Sequence, residues 1–81
     1  MSTKEKNNIK LKKAFGLSIK SIREAKGLSQ LDLASLSNLE KTSISRIENG
    51  RTNVTLTTIA ILSAALDVKL STIFDFESST K

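Results

Sequence analysis

The sequence predicts an all-α fold in which five helices pack as one domain. Apolar residues recur at spacings of three and four along most of the chain, which is the period of a helix with one buried face. Glycine or asparagine follows three of these stretches, as expected where a helix ends. The chain has no proline, and no stretch alternates apolar and polar residues as a strand does. Its 81 residues leave room for a single hydrophobic core.

The first helix is expected to open a domain that spans residues 9–76, after a flexible basic arm over residues 1–8 that shows no apolar period. Asn7 or Asn8 can cap its start, and Gly27 should end it because glycine tolerates left-handed geometry. Its expected buried stripe consists of Leu11, Phe15, Ile19 and Ile22.

The second helix should begin after Ser29, whose hydroxyl is a good cap, and end at Asn38, since asparagine enters the left-handed region more easily than most residues. Its inner side should be formed by Leu33, Ala34 and either Leu36 or Ser37. A third helix is expected from about residue 41 to residue 49, with Gly50 ending it.

The fourth helix is predicted over residues 56–66, with Thr55 as its cap. A turn and a short fifth helix, from about residue 70 to residue 76, should follow, and residues 77–81 should form a disordered tail. The residues expected to be buried in these two helices are Leu56, Ile59, Ala60, Leu62, Leu66, Leu70, Ile73 and Phe74.

The amino-acid composition argues against catalysis and metal binding. There are no cysteines and no histidines, which removes disulfides, Cys/His metal sites and thiol or imidazole chemistry. We therefore expect no enzyme, no cofactor and no metal. No apolar run reaches the roughly 18 residues of a membrane span, and the basic amino terminus lacks a signal-peptide segment, so we expect a cytoplasmic protein. A net charge of +5 and a pI near 9.8 favour a polyanionic partner.

The third helix has one apolar side and one polar side. On a helical wheel, Ile44 and Ile47 point inward with Glu48 beside them. Six polar side chains cover the remaining surface: Lys41, Thr42, Ser43, Ser45, Arg46 and Asn49. Arginine can form two hydrogen bonds with guanine, and the major groove of B-DNA admits one helix. Any surface helix turns polar residues outward, however, so this face alone leaves a solvated surface equally open.

Residues 30–47 resemble the helix-turn-helix of phage repressors, Cro proteins and the wider XRE-type family. The buried positions of that motif are occupied here by Leu33, Ala34, Leu39, Ile44 and Ile47. The segments "IREAKGLSQ", "ISRIENGR" and "LTTIAILSAALDVKLSTIF" are similar to the family's other segments in the same order, so the resemblance covers about residues 11–76. Within the family, "NLEKTSIS" is similar to restriction–modification controller proteins. The resemblance implies a five-helix, lambda-repressor-like DNA-binding domain.

The resemblance and the polar face together predict the side chains that contact double-stranded DNA. The expected base-reading residues are Gln30, Lys41, Thr42, Ser45 and Arg46. The expected phosphate contacts are Ser43, Asn49, Arg51 and Asn53, aided by backbone amides after the third helix. Simpler interpretations stay open: Gln30 can face water, Arg46 can pair with Glu48 or Asp32, and the loop can be a plain polar connection.

Two further expectations concern stability and assembly. An unpaired carboxylate on the inner side of the third helix would be costly, and the family pairs the positions held here by Arg23 and Glu48, so we expect an ion pair between them. Family dimers commonly use the fourth and fifth helices, which implies a two-fold homodimer. The contact residues would then be Leu62, Leu66, Ile73 and Phe76.

The resulting hypothesis is a sequence-specific regulator of transcription that binds double-stranded DNA as a homodimer on a palindromic operator. An antitoxin or a protein-interaction module on the same scaffold is the alternative, because fold alone does not determine function. The amino-terminal lysines also leave two interpretations open, an arm that contacts DNA or a solubilising segment. These lysines are Lys4, Lys6, Lys10, Lys12 and Lys13.

Overall fold

The computed structural model describes residues 3–76, apart from the side chain of Asn7, and this part of the chain contains five helices and no strand. The helices are α1 (Thr3–Ala25), α2 (Gln30–Ser37), α3 (Lys41–Glu48), α4 (Leu56–Leu66) and α5 (Leu70–Ile73). α1 packs against α3 and α5, α2 packs against α3 and α4, and α4 packs against α5. The predicted all-α fold with five helices is confirmed. The tail predicted at 77–81 lies outside the described residues.

Local hydrogen bonds set the starts of α2 and α4 where they were expected. The Ser29 hydroxyl accepts the N–H of Asp32 at 3.0 Å, and the Asp32 carboxylate accepts the N–H of Ser29 at 2.9 Å. These two bonds form a capping box, which satisfies two amide donors that the first turn leaves free. Thr55 caps α4 by accepting the N–H of Thr58 at 3.1 Å.

The first four helices all end in the same way, at a residue with left-handed backbone geometry. In each case the amide of that residue and the next amide bond back to carbonyls of the helix. The four residues, with their φ angles, are Gly27 (72°), Asn38 (57°), Gly50 (68°) and Asp67 (55°). Short connections with fixed geometry therefore join α1 to α2 and α2 to α3.

The core is aliphatic, with one phenylalanine. Its buried members are Phe15, Ile19, Leu33, Ala34, Ile44, Ile47, Leu62, Leu66 and Ile73. Ser37, and not Leu36, faces this core. The buried Ser37 hydroxyl donates to the carbonyl oxygen of Leu33 at 2.7 Å, so it leaves no unpaired polar group.

Several residues expected in the core are exposed instead: Leu11, Leu56, Ala60, Leu70 and Phe74. Leu56 and Leu70 are the first residues of α4 and α5, and Leu56 is 85% exposed. Apolar residues occur on both sides of α4, so the helical period alone does not show which side faces the core.

The expected arm over residues 1–8 is wrong for its described part, because α1 begins at Thr3. Residues 7 and 8 lie inside the helix and do not begin it. Residues 3–15 include no glycine or proline, and lysine and glutamate are good helix formers. Once the packed part of α1 exists, each added residue gains a hydrogen bond without a new nucleus. The helix therefore extends beyond the residues that bury an apolar face.

α5 is shorter than expected and ends at Ile73. The amide of Asp75 bonds to the carbonyl oxygen of Thr72, a tighter turn that stops the helix. After this turn the Phe74 ring lies 5.5 Å from the ring of Phe15 and 6.0 Å from that of Phe76, centre to centre.

Candidate nucleic-acid interface

α3 is attached to the rest of the protein by one face. Ile44 and Ile47 are buried in the core, and Glu48 is buried beside them. Glu40 precedes the helix in an extended conformation, and its side chain makes no capping hydrogen bond. Packing of the inner face, and not capping by residue 40, therefore holds this helix in place.

The opposite face of α3 is open to solvent. Thr42 and Arg46, one helical turn apart, are both exposed, and Lys41 is exposed next to Thr42. Within residues 3–76, the Arg46 guanidinium forms no hydrogen bond and no ion pair. The alternative of a surface pair with Glu48 or Asp32 is therefore not observed, and the donors of Arg46 remain available.

Ser45 and Asn49 lie on the flank of this face. Ser45 is half-buried, and its hydroxyl accepts a hydrogen bond from Asn49 Nδ2 at 3.4 Å. The bond is long and solvent-exposed, so it leaves both groups free to exchange it for an acceptor or donor on a ligand.

Ser43 lies on the other flank, in a shallow cleft of about 210 Å³ between α3 and the segment that leads into α4. The lining residues are Leu39, Ser43, Arg46, Ile47, Thr52, Asn53, Val54, Thr55 and Thr58. The volume is below the range of roughly 300–1,000 Å³ of small-molecule sites. A mixed lining of hydroxyls, an amide and a guanidinium suits the phosphate oxygens and sugar edges of a nucleic acid better.

The loop after α3 offers side chains but fewer amides than expected. The amides of Asn49, Gly50 and Arg51 donate to the carbonyl oxygens of Ser45, Ile47 and Arg46. The expectation that these three amides bind a phosphate is therefore wrong, because the end of α3 already uses them. The Arg51 and Asn53 side chains are exposed and remain candidates.

Gln30 opens α2 and is half-buried. Its Nε2 donates to Glu48 Oε1 at 3.1 Å. Because a carboxylate can only accept, this bond fixes which end of the amide faces Glu48. The Gln30 carbonyl oxygen and one N–H are left for a ligand.

The expected ion pair between Arg23 and Glu48 is present and buried. Arg23 Nε donates to Glu48 Oε2 at 2.6 Å, and Nη2 donates to Oε1 at 3.0 Å. Nη1 donates to the carbonyl oxygen of Leu28 at 2.7 Å. The hydrogen bond with Glu48 is the main reason why the pKa of Arg23 is raised. The pair joins the end of α1, the start of α2 and the end of α3, and so fixes the orientation of α3.

Gly16 is a positioning residue that the sequence analysis missed. A Cβ at this position would lie 2.3 Å from the carbonyl oxygen of Ile47 and 2.6 Å from that of Glu48. α1 and α3 therefore touch through main-chain atoms, and any side chain at residue 16 would separate them. The sequence carries one signal of this contact, because an isolated glycine inside a helical pattern often marks a close approach of two backbones.

The dimer residues predicted from the sequence are largely wrong. Leu62, Leu66 and Ile73 are 0%, 1% and 0% exposed, because they form the core of the protomer. These three side chains therefore have no exposed surface with which to contact a second copy of the chain. Phe76 is partly buried and packs against the core. Residues with apolar side chains that do reach the surface of α4 are Leu56, Ala60, Ile61 and Ala64.

Two other kinds of site are absent from residues 3–76. No group of three or more Asp, Glu, His or Cys side chains is placed to hold a metal ion. None of the described helices combines the length and hydropathy needed to cross a membrane.

Several known proteins are similar to this chain in sequence or in fold. The HTH_3 helix-turn-helix family matches residues 19–73, so residues 3–18 of α1 precede the match. Control protein C.MunI from Mycoplasma sp is 41% identical over 69 residues, which cover 84% of this chain and 90% of that protein. The restriction-modification controller protein C.AhdI from Aeromonas hydrophila has a TM-score of 0.75 and 40% identity, covering 76% of this chain and 94% of that one. The C.Esp1396I controller tetramer, solved with its natural 35-base-pair operator, has a TM-score of 0.75 and 37% identity, covering 80% and 86%.

Proposed function

The chain belongs to the HTH_3 helix-turn-helix family, and on this premise we propose that it is a controller-type regulator of transcription that binds a palindromic operator as a homodimer. The observation that carries the proposal is the position of Thr42 and Arg46. Both project from a helix whose opposite face is fixed by the core and by the Arg23–Glu48 pair. A regulator of this bacterial or phage-derived kind would work in the cytoplasm.

Arg46 is the principal base reader in this proposal. Its guanidinium is free of intramolecular partners and can donate two hydrogen bonds to O6 and N7 of guanine. Thr42 offers a hydroxyl and a methyl group one turn earlier, and Lys41 and Ser45 flank it. Gln30 contributes its carbonyl oxygen and one N–H, because the other N–H of Nε2 donates to Glu48.

Phosphate contacts in this proposal come from the flanks of α3. Ser43 lies in the cleft beside Arg46, and Asn49, Arg51 and Asn53 follow on the exposed side of the loop. Such contacts set the register of the protein on the duplex without reading its sequence.

A selection of bound duplexes from a random pool tests the specific part of the proposal. The bound duplexes should contain a two-fold symmetric sequence with half-sites about one helical turn apart. Arg46→Ala should then lose about 1–3 kcal/mol of discrimination at one position in each half-site. Arg51→Ala should weaken binding to all duplexes by a similar factor, since its expected partner is a phosphate. Recovery of no common sequence would contradict the proposal.

The homodimer of this proposal uses the exposed side of α4. Leu56, Ala60, Ile61 and Ala64 lie on the side opposite the buried Leu62 and Leu66. We assign this side to a second copy because a palindromic operator requires two-fold symmetry and because the C.Esp1396I relative was solved as an oligomer on its operator.

Charge placed on this surface tests the assignment. Ile61→Glu should give a monomer in sedimentation and weaken operator binding, because an unpaired carboxylate would be buried between the copies. Ser35→Glu, on the exposed side of α2, is the matched control and should stay dimeric. If the Ile61→Glu protein were still a dimer, the interface would have to lie outside this side of α4.

A further inference from the structure

We propose that the amino-terminal half of α1 is an additional phosphate-binding surface, which extends the contact with duplex DNA beyond the half-site that α3 reads. The surface is the lysine stripe, defined as Lys6, Lys10 and Lys13. The inference rests on the proposed function, but it concerns a segment that precedes the part of the chain matched by the family, residues 19–73.

The course of α1 brings the lysine stripe next to the loop after α3. Gly16 touches the last turn of α3, and the backbone of Lys13 lies against Gly50, where an added Cβ would meet its Cα at 2.8 Å and its nitrogen at 3.0 Å. Followed towards its amino terminus, α1 therefore passes the end of α3 and reaches the loop that contains Arg51. At 1.5 Å per residue, residues 3–12 continue for about 15 Å beyond this point.

The spacing of the lysines places their charges on one side of this extension. Lys6, Lys10 and Lys13 are four and three residues apart, which aligns them along the helix. Lys13 is the member that contacts Gly50, and Lys6 and Lys10 lie within about 60° of it around the helix axis. The stripe thus begins beside the loop that carries the exposed Arg51 and Asn53.

The charge balance of this segment favours a polyanion. Residues 3–13 contain five lysines and one glutamate. The three stripe lysines are exposed, and within residues 3–76 none of them forms an ion pair. Like charges one turn apart repel each other in the free protein. Phosphates placed along the stripe would remove this repulsion and release counterions.

A nucleic-acid duplex fits these observations better than other polyanions. The lysines of the stripe are held in fixed order by the helix that carries them. They lie next to the loop whose side chains, Arg51 and Asn53, are proposed to bind the operator backbone. A duplex that lies across α3 and the loop continues along its own axis, and its next phosphates come within reach of the extension. The expected footprint on each half-site is therefore longer than the half-site read by α3.

The test compares two double variants with equal loss of charge. Lys6→Gln/Lys10→Gln removes two stripe charges. Lys26→Gln/Lys69→Gln removes two exposed charges, from the residue after α1 and the residue before α5. Lys13 stays unchanged because its backbone packs on Gly50. Operator affinity is measured against salt concentration with the selected duplex.

The stripe variant should lower the magnitude of the slope of log affinity against log salt by about 3.6, because each of the two protomers loses two phosphate contacts worth about 0.9 each. Between roughly 50 and 200 mM salt, the wild-type dimer should then lose about 150-fold more affinity than this variant. The control variant should change the slope by less than half as much. Shortening the duplex at both flanks should weaken wild-type binding more than it weakens binding of the stripe variant, which keeps only Lys13.

Equal slopes for the two double variants would overturn the lysine stripe as a DNA-binding surface. Unchanged DNA binding, together with lost binding to vesicles of phosphatidylserine and phosphatidylcholine, would overturn it in favour of a membrane surface. The proposed function fails on a different result, equal wild-type affinity for operator and scrambled duplexes.

Discussion

Removing the Glu48 carboxylate tests whether the Arg23 pair fixes α3. Glu48 accepts hydrogen bonds from Arg23 Nε at 2.6 Å, Arg23 Nη2 at 3.0 Å and Gln30 Nε2 at 3.1 Å. The Arg23 and Glu48 side chains are only 8% and 2% exposed. In Glu48→Ala the guanidinium would stay buried, with the carbonyl oxygen of Leu28 as its remaining short contact.

The expected loss of stability is large because water cannot replace the missing partner. Removing one member of a buried ion pair leaves the other without a partner and lowers the free energy of unfolding by about 3–5 kcal/mol. For a domain of this size, that loss corresponds to a decrease in melting temperature on the order of 20 °C. Replacing both members, as in Arg23→Met/Glu48→Leu, should recover most of the stability, since no buried charge remains unpaired.

Urea unfolding followed by helical circular dichroism measures the change, because the chain has no tryptophan or tyrosine for fluorescence. Protein concentration must be held constant, since the proposed dimerisation would add to the apparent stability. The double variant should fold but bind operator weakly, because the connection that orients α3 is gone. A loss below about 1 kcal/mol for Glu48→Ala would refute the reasoning, since that value is typical of an exposed pair.

The remaining predictions concern glycines and a capping carboxylate. Gly16→Ala should destabilise the protein by about 2–3 kcal/mol, although alanine normally favours a helix, because the new Cβ would meet main-chain oxygens of α3. Gly27→Ala is the contrasting variant: its surroundings are open and its φ is +72°, so it should lose only about 1 kcal/mol. Equal losses in urea unfolding would contradict this difference. The pKa of Asp32 is lowered because its carboxylate accepts the Ser29 N–H. A lowered folded pKa means that this stabilisation is present at neutral pH and disappears as the pH falls below about 4. Asp32→Asn should therefore lose less stability than the wild type between about pH 5 and pH 3, and parallel pH profiles would argue against the capping box.

Features that depend on neighbouring residues in the chain could be predicted from the sequence. Ser29 and Thr55 cap their helices through bonds that span three residues. Gly27, Asn38 and Gly50 end helices by their own backbone preference. These signals need no knowledge of the tertiary structure, and the middle three helices consequently begin where they were expected.

Features that depend on contacts between helices could not be predicted in the same way. Leu62 and Leu56 are equally apolar, but only packing decides that one is buried and the other exposed. The amides of Gly50 and Arg51 donate to carbonyl oxygens of α3, and the sequence alone does not show that these two amides are used. The first residues of α1 are exposed and lack an apolar pattern, so the period that predicts a packed helix does not extend to them.

The contact between Gly16 and the carbonyls of α3 has a consequence for protein engineering. It involves main-chain atoms on both sides, so it does not depend on which side chains α3 turns outward. Substitution of all three exposed residues Lys41, Thr42 and Arg46 should therefore leave the position of α3 relative to α1 unchanged. Under the proposed function, substitutions at these three positions should change the preferred duplex sequence without moving α3.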